Sequence, residues 1–509
     1  MSTTIQQKHT TSRVGDWAAS ASDRVVSLLG NRRFFHTIVI IFIGSALLMA
    51  VTTRESIYDE SYHLGIIDLY SNQWSARLEN TNDSLGLGDV EFFGSFLFHY
   101  VMSFPYRLAR MVVGGDYALL VVMRILNIAI VVGALYVWRH VLLKIKDRPA
   151  LVHLSLMALS SLPLFIQISA TVNYDNLLFI WVAAWAGALV NIARDAGTTL
   201  RPWLWFLVWG LLGSITKYTF VPVFAVVFIY LAIRHGAPML RSVRGWGADI
   251  KANWRNYLVP AVLLLIGLYF VASRYVRNLF QFGNPSPDCG DVESVDYCMT
   301  WGPWARNYQF GENYDALDPA LGDGLTVLIS RWFERVSSTL LFIGVRNPDQ
   351  GVLDTNGTPI ALAILCFGMM LVLFCAVFLG GSVAGKFRVP LLLALAVHAV
   401  LLFYVNYSDL LDYGILMAFS ARYFFPYLPF VILIAFSGLS AAMDGAWQAK
   451  ARSVKVVFLV CVFVAMTQGA WALTFLYGVT PDWIAPESPL GQVIAPLHRI
   501  ADIAVIEGR

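Results

Sequence analysis

Two carboxylates stand side by side in Tyr58-Asp59-Glu60-Ser61-Tyr62-His63, directly after an apolar run at residues 34–53. A carboxylate held at a membrane-facing pocket can act as a general base, taking the proton from an acceptor hydroxyl or amine. Adjacent helical residues point about 100° apart, so one of Asp59 and Glu60 would react while the other supports it. Solvated interfacial charge is the plainer reading of the same pair. Asp59, His63, Ile66 and Tyr70 fall on one helical face, with Leu64, Ile67 and Leu78 beside it. A second acidic cluster, Asp89-Val90-Glu91, opens another apolar stretch. Its acids either complement a helix dipole or place Glu91 at a pocket. In Ser169-Ala170-Thr171-Val172-Asn173-Tyr174-Asp175-Asn176, Asp175 reads as a helix cap, or with Asn173 as the polar rim of a cleft.

Cations complete the set. Lys217 lies between two apolar runs in Thr216-Lys217-Tyr218-Thr219, and Arg422-Tyr423 opens another ahead of Pro426 and Pro429. Each can snorkel to headgroups. Together they supply what a lipid-linked phosphate needs for charge neutralisation. Cys289 and Cys298 are nine residues apart with Gly290 between, a spacing open to a small disulfide loop or to two free thiols. Cys366, Cys375 and Cys461 sit in apolar runs and read as packing. Neither these cysteines nor the acids define a metal set, so no cofactor is required, although a divalent cation is compatible with the carboxylates.

The elements that must position these groups follow from composition. The chain has 509 residues, 58% hydrophobic and 14% charged, with 16 Trp and mean hydropathy +0.63. That excludes a set of soluble domains, disorder, a coiled coil and a secreted disulfide scaffold, and a net charge of +3 gives no case for nucleic acid. The expected architecture is an all-α polytopic membrane protein. About eleven spans are centred in 34–53, 116–137, 150–168, 176–193, 202–216, 218–233, 257–273, 359–380, 389–406, 415–438 and 456–477. No cleavable signal peptide is expected. With residues 1–33 in the cytoplasm, the cytoplasmic segments hold 21 of 36 Lys and Arg but 6 of 33 Asp and Glu. Lys217 is then the lysine on the outer side, where all the candidate chemistry gathers. Residues 34–477 form the transmembrane catalytic unit, with outer loops 54–115 and 274–358 and an outer tail 478–509. In 54–115, an amphipathic helix follows Asp59, and Val90–Val113 reads as an interfacial helix broken at Phe104-Pro105. A further apolar helix is expected near 325–345.

In order and sidedness these pieces resemble the GT-C superfamily of integral-membrane glycosyltransferases, which includes protein O-mannosyltransferases and lipid A aminoarabinose transferases. The resemblance spans residues 34–438. It rests on Asp59-Glu60 after the first span, the broken helix of the first loop, Ala170–Asp175, Gly213-Ser214-Ile215-Thr216-Lys217 before Pro222, and Ala421-Arg422-Tyr423-Phe424-Phe425-Pro426. Ala421 stands where many members have Gly. The resemblance implies transfer of a sugar from a polyprenyl-phosphate donor to an extracytoplasmic glycan, lipid or protein. Asp59 would be the base with Glu60 beside it, Lys217 and Arg422 would hold the phosphate, and Tyr423 and Asn173 would line the pocket. The setting would be a bacterial inner or plasma membrane, and acceptor recognition would fall to 54–115 and 274–358. No Gly-rich phosphate loop is present, as suits a donor that is not a nucleotide. The alternatives are a lipid-linked glycan transporter or flippase, and a glycan polymerase or ligase. A transporter is expected to carry midplane charges in two related halves. Here Arg124 is nearly the only charge well inside a span, and eleven spans do not divide equally.

Overall fold

A computed structural model describes residues 24–313, 324, 326–340, 343–349, 351–354, 385–414, 416–446 and 481–496. The long helices are α1 (Arg32–Thr52), α2 (Glu60–Ser71), α3 (Leu97–Val112), α4 (Asp116–Ile145), α5 (Pro149–Ser160), α6 (Pro163–Ser169), α7 (Tyr174–Arg194), α8 (Leu200–Thr216), α9 (Phe220–Ala252), α10 (Trp254–Val271), α11 (Arg388–Tyr413) and α12 (Leu428–Ala446). Among the described residues, six helices are long and apolar enough to cross a membrane, counting α10 with its continuation to Phe282. The bent pair α5–α6 makes a possible seventh, and α12 contributes a shorter apolar helix. The chain is a multi-pass helical membrane protein. The expected spans at 359–380 and 456–477 lie outside the described residues.

Burial sorts the helices into centre and rim. Of the six candidate spans α7 is the most enclosed, with Phe179, Trp185 and Leu189 buried between α4 and α8. On the rim, Ile40 and Ile41 of α1, Ile233 of α9, Leu265 of α10 and Val400 of α11 are exposed, as a lipid-facing surface requires. On α3, Leu108, Met111 and Val112 are exposed while Phe98, His99 and Met102 pack inward, so the helix is amphipathic.

Several boundaries differ from the sequence expectation, each for a local reason. The span read at 150–168 is broken, with a bend of 74°, because Pro163 cannot donate and disfavours helix in the residue before it. The stretch read as helical from Val90 begins at Leu97 and then runs through Pro105 without breaking. Residues before it are diverted because the Asp89 carboxylate accepts from the amides of Glu91 and Phe92. α9 extends to Ala252, well into the segment read as a cytoplasmic loop. The span read from 415 becomes helical only at Leu428, after a 3₁₀ turn at Ala421–Phe424 and ahead of Pro429 in the first helical turn.

The candidate helix near 325–345 ends at Thr339. It gives way to a hairpin of β1 (Gly344–Asn347) and β2 (Gly351–Asp354), antiparallel with Val345 opposite Leu353. This hairpin packs against the segment that follows α1. The Arg346 amide donates to Glu55 O at 2.8 Å, and Ser56 bridges Val345. On the other side of the same segment, the Arg54 amide donates to Trp483 O at 2.9 Å, and the Ala485 amide donates to Thr52 O at 2.9 Å. The six residues that leave α1 are thus held between the Gly344–Asp354 hairpin and the segment at 481–485. In the same loop Cys289 and Cys298 form a disulfide. Trp301 lies over the first loop at Gly88, whose φ of +69° and contact with the indole leave no room for a Cβ.

Candidate active site

The clamped segment delivers Asp59 in an uncommon conformation. Its backbone lies at φ 61°, ψ 24°, the left-handed region that Asp and Asn tolerate better than most residues. The turn aims the Asp59 carboxylate outward, 44% exposed, while Glu60 next to it points into the protein and is fully buried.

Glu60 is fully engaged. Arg124 donates to it twice, from Nε at 2.9 Å and from Nη2 at 2.6 Å. The amides of Ser56 and Val172 also donate to its carboxylate, both at 2.9 Å. The remaining guanidinium hydrogens of Arg124 go to the carbonyls of Ala50, Thr53 and Arg54 at 2.9–3.0 Å. These include carbonyls that the end of α1 leaves without intrahelical partners. One buried pair therefore joins α1, α4, the Asp59 turn and the loop ahead of α7.

That loop is tied down a second time. Asn173, not Asp175, is the cap of α7: its side-chain oxygen accepts from the Asp175 amide at 2.9 Å. The Asn173 Nδ2 donates to Tyr58 O at 3.0 Å, so the cap also fixes the residue before Asp59. Asp175 is then free of capping duty, and its Oδ1 accepts from Lys217 Nζ. Lys217 follows the last turn of α8, a favourable place for a cation, and is buried with its ammonium 4.5 Å from the Tyr174 ring centre and 4.4 Å from that of Tyr423. Burial lowers its pKa to about 8, with Asp175 opposing the shift.

Arg422 closes the cluster from the 3₁₀ turn, which Thr339, just ahead of the hairpin, anchors by accepting from the Ala421 amide at 2.8 Å. Its Nη2 donates to Asp59 Oδ2 at 2.8 Å, and its Nε lies 3.9 Å from Asp175 Oδ2. Arg422 Nε and Nη1 and Asp175 Oδ2 are buried without hydrogen-bond partners among the described residues. Buried polar groups are usually paired, so these three atoms are open to a further partner.

Asp59, Asp175, Lys217, Arg422 and Tyr423 are thus brought together, walled by Tyr58 and Tyr174. His63 lies beneath Tyr174 at 4.6 Å between ring centres, and its Nδ1 is 2.8 Å from His99 Nε2. Burial lowers both imidazoles, His63 well below its usual range and His99 to about 3, so the pair is neutral. Glu91 does not join the cluster: it pairs with Arg77 at 2.7 Å and lies near Arg277. Among the described residues no three His, Cys, Asp or Glu side chains converge. Asp59 and Asp175 each face a cation, so this donor set suits an anion better than a divalent ion.

Three contributors carry weak sequence signals. Arg124 stands out as a lone intramembrane charge, which by itself calls for a partner, but nothing local says that Glu60 is that partner. His99 and Thr339 have no such mark.

No protein-family model and no curated protein matches the chain. Among solved structures it is similar to the Archaeoglobus fulgidus oligosaccharyltransferase in its apo form, with a TM-score of 0.42, 12% identity and 92% of this chain covered. A second similar structure is the archaeal oligosaccharyltransferase AglB from the same organism, in complex with an inhibitory peptide and a dolichol-phosphate. Its TM-score is 0.43, with 12% identity and 91% of this chain covered. A third holds zinc and sulfate, with a TM-score of 0.42, 13% identity and 91% of this chain covered. The chain spans 60%, 59% and 56% of the lengths of the chains in these three structures.

Proposed function

We propose that the protein is a membrane glycosyltransferase of the GT-C type, moving a sugar from a polyprenyl-phosphate donor to an extracytoplasmic acceptor. The observation that carries this reading is the buried Arg422 guanidinium with two unpartnered nitrogens, beside Lys217 and against the half-exposed Asp59. A donor phosphate would take the open donors of Arg422 and the ammonium of Lys217. The bond between the anomeric carbon and the phosphate oxygen breaks, and the polyprenyl phosphate leaves with the bonding pair. Both cations stabilise the charge that builds on it, at a site where fixed donors need no rearrangement. The acceptor oxygen forms the new bond to the anomeric carbon and loses its proton to Asp59. Glu60, already holding four hydrogen bonds, is a positioning residue in this scheme, as is Asn173.

The acceptor would approach along a cavity of about 550 Å³ that flanks the segment leading to Asp59. Arg54 and Glu55 from the first outer loop and Arg346 from the second line it. The Lys and Arg distribution supports a cytoplasmic N-terminus and an extracytoplasmic site. The test is transfer of labelled sugar from polyprenyl phosphate in proteoliposomes, compared with movement of the same lipid across the bilayer. Transfer by the wild-type protein and none by Asp59→Asn is expected. Lipid movement without transfer would replace this reading with a flippase.

A further inference from the structure

A cavity of about 720 Å³ opens at the opposite ends of the helices that build the candidate site. It lies among the last turns of α4 and α7, the start of α8 and the α9–α10 junction at Asn253. One wall is apolar for a structural reason. α7 presents Ala184, Gly187 and Ala188 there, side chains too small to fill the space facing Trp205 and Trp209 of α8. The two indoles stack at 4.9 Å, and Trp209 stacks on Trp181 at 5.4 Å, which makes that face stiff as well as apolar.

The mouth is cationic. Lys144 and Arg201 line it, and Lys144 Nζ spends one of its three donors on Asn191 Oδ1 at 3.2 Å. Asp249 is the one acid among the described lining residues, and it is engaged, accepting from Asn253 Nδ2 at 2.7 Å and from the Tyr257 hydroxyl. The start of α8 adds the positive end of its dipole. Basic pockets between membrane helices, faced by Trp at headgroup level, suit lipid phosphates.

We propose that this cavity binds one anionic phospholipid from the leaflet at that end. Lys144 and Arg201 hold its phosphate, and the glycerol esters and first acyl carbons lie along the alanine, glycine and tryptophan wall. A free phosphate would use the cations and leave the apolar wall unused, so the paired surfaces favour a lipid. The inference is independent of the role assigned to Asp59, since no residue is shared.

The test is native mass spectrometry of the full chain released from nanodiscs containing phosphatidylglycerol or phosphatidylcholine. The wild-type protein should retain phosphatidylglycerol selectively. Lys144→Gln and Arg201→Gln should each lower retention about fivefold, and together about 25-fold. Ala188→Leu, which fills the wall without touching charge, should also lower it. Lys146→Gln with Arg148→Gln removes the same charge outside the cavity and should leave retention unchanged. Monodisperse elution and unchanged helix content of each variant separate lipid loss from misfolding. Equal retention by wild type and the Lys144/Arg201 variants, equal loss in the Lys146/Arg148 control, or full retention by Ala188→Leu would overturn the proposal. Displacement of the lipid by soluble glycerol phosphate at matching concentration would overturn it too, in favour of a free-phosphate site.

Discussion

Asp59→Asn should separate chemistry from folding more cleanly than any other single change. The backbone at φ 61° admits Asn as readily as Asp, so the turn survives the substitution. The pair to Arg422 is 44% exposed on the Asp59 side and 9% on the Arg422 side, and Asn keeps an oxygen that can accept from Arg422 Nη2, so the loss is the charge of a half-open pair, about 0–1 kcal/mol. Stability and membrane yield should therefore change by less than about 1 kcal/mol. A lost general base costs about 10²- to 10⁴-fold in turnover, which is about 3–5 kcal/mol of barrier. Donor affinity should hold or improve, because Arg422 Nη2 is freed from a competing carboxylate. Ala at the same position adds about 1–2 kcal/mol of left-handed strain, so Asp59→Ala should lose stability as well, whereas Asp59→Gly should lose turnover alone. Single-turnover transfer from labelled polyprenyl-phosphate sugar, with donor binding and thermal unfolding measured on the same preparations, reads all three quantities. Turnover of Asp59→Asn within tenfold of wild type would refute the assignment of Asp59 as base, as would activity loss matched by loss of folded protein.

Other expectations follow from the same geometry. Arg422→Ala and Lys217→Ala should weaken donor binding about 10- to 100-fold, from lost charge-assisted hydrogen bonds, with acceptor affinity nearly unchanged; equal loss for both substrates would contradict the phosphate assignment. Glu60→Gln should cost about 3–5 kcal/mol of stability, because Arg124 stays charged and buried without its counter-ion, and chemical unfolding in detergent would measure it. Donor binding should fall as pH rises through about 8, where Lys217 loses its proton. The folded pKa of Lys217 lies below its unfolded value, so between about 8 and 10.5 the unfolded chain holds more protons and this group adds stability as pH rises. Weaker binding without a drop in melting temperature is therefore expected above pH 8, and Lys217→Arg should remove that limb. Asn173→Ala should cost about 1 kcal/mol through the lost cap, measured by the same unfolding, and lower turnover by releasing Tyr58 O.

The parts of this fold that were legible in the sequence are those set by long apolar runs. α1, α4, α7, α9 and α11 follow from length and hydropathy alone. The ends were not, because Pro163 and Pro429, which cannot donate, and the Asp89 carboxylate, which accepts from two amides, decide them locally in ways that hydropathy does not register. Within the candidate site, Asp59, Asp175, Lys217, Arg422 and Tyr423 stood out as charged or aromatic groups at the edges of apolar runs. Their partners did not. Asp59 and Glu60 look equivalent as neighbours, and only the left-handed turn sends one outward and the other to Arg124. Asn173 and Asp175 likewise exchange the roles their positions suggest. The hairpin at Gly344–Asp354 was missed because four-residue strands in a mixed loop carry no readable alternation.

The clamp on the segment leaving α1 has a consequence for biogenesis. Arg54 Nε donates to Asp482 O across 428 residues, so one side of the Asp59 turn cannot close until the chain has been made as far as Asp482. At about 5–20 residues per second, that leaves about 20 to 90 s between synthesis of the catalytic segment and arrival of the piece that braces it. During that interval the first helices can be inserted while the reactive turn is unbraced. The brace on this turn forms only after Asp482 is made, and a nascent chain stalled before residue 481 would hold every proposed reactive group yet lack the brace beneath Asp59.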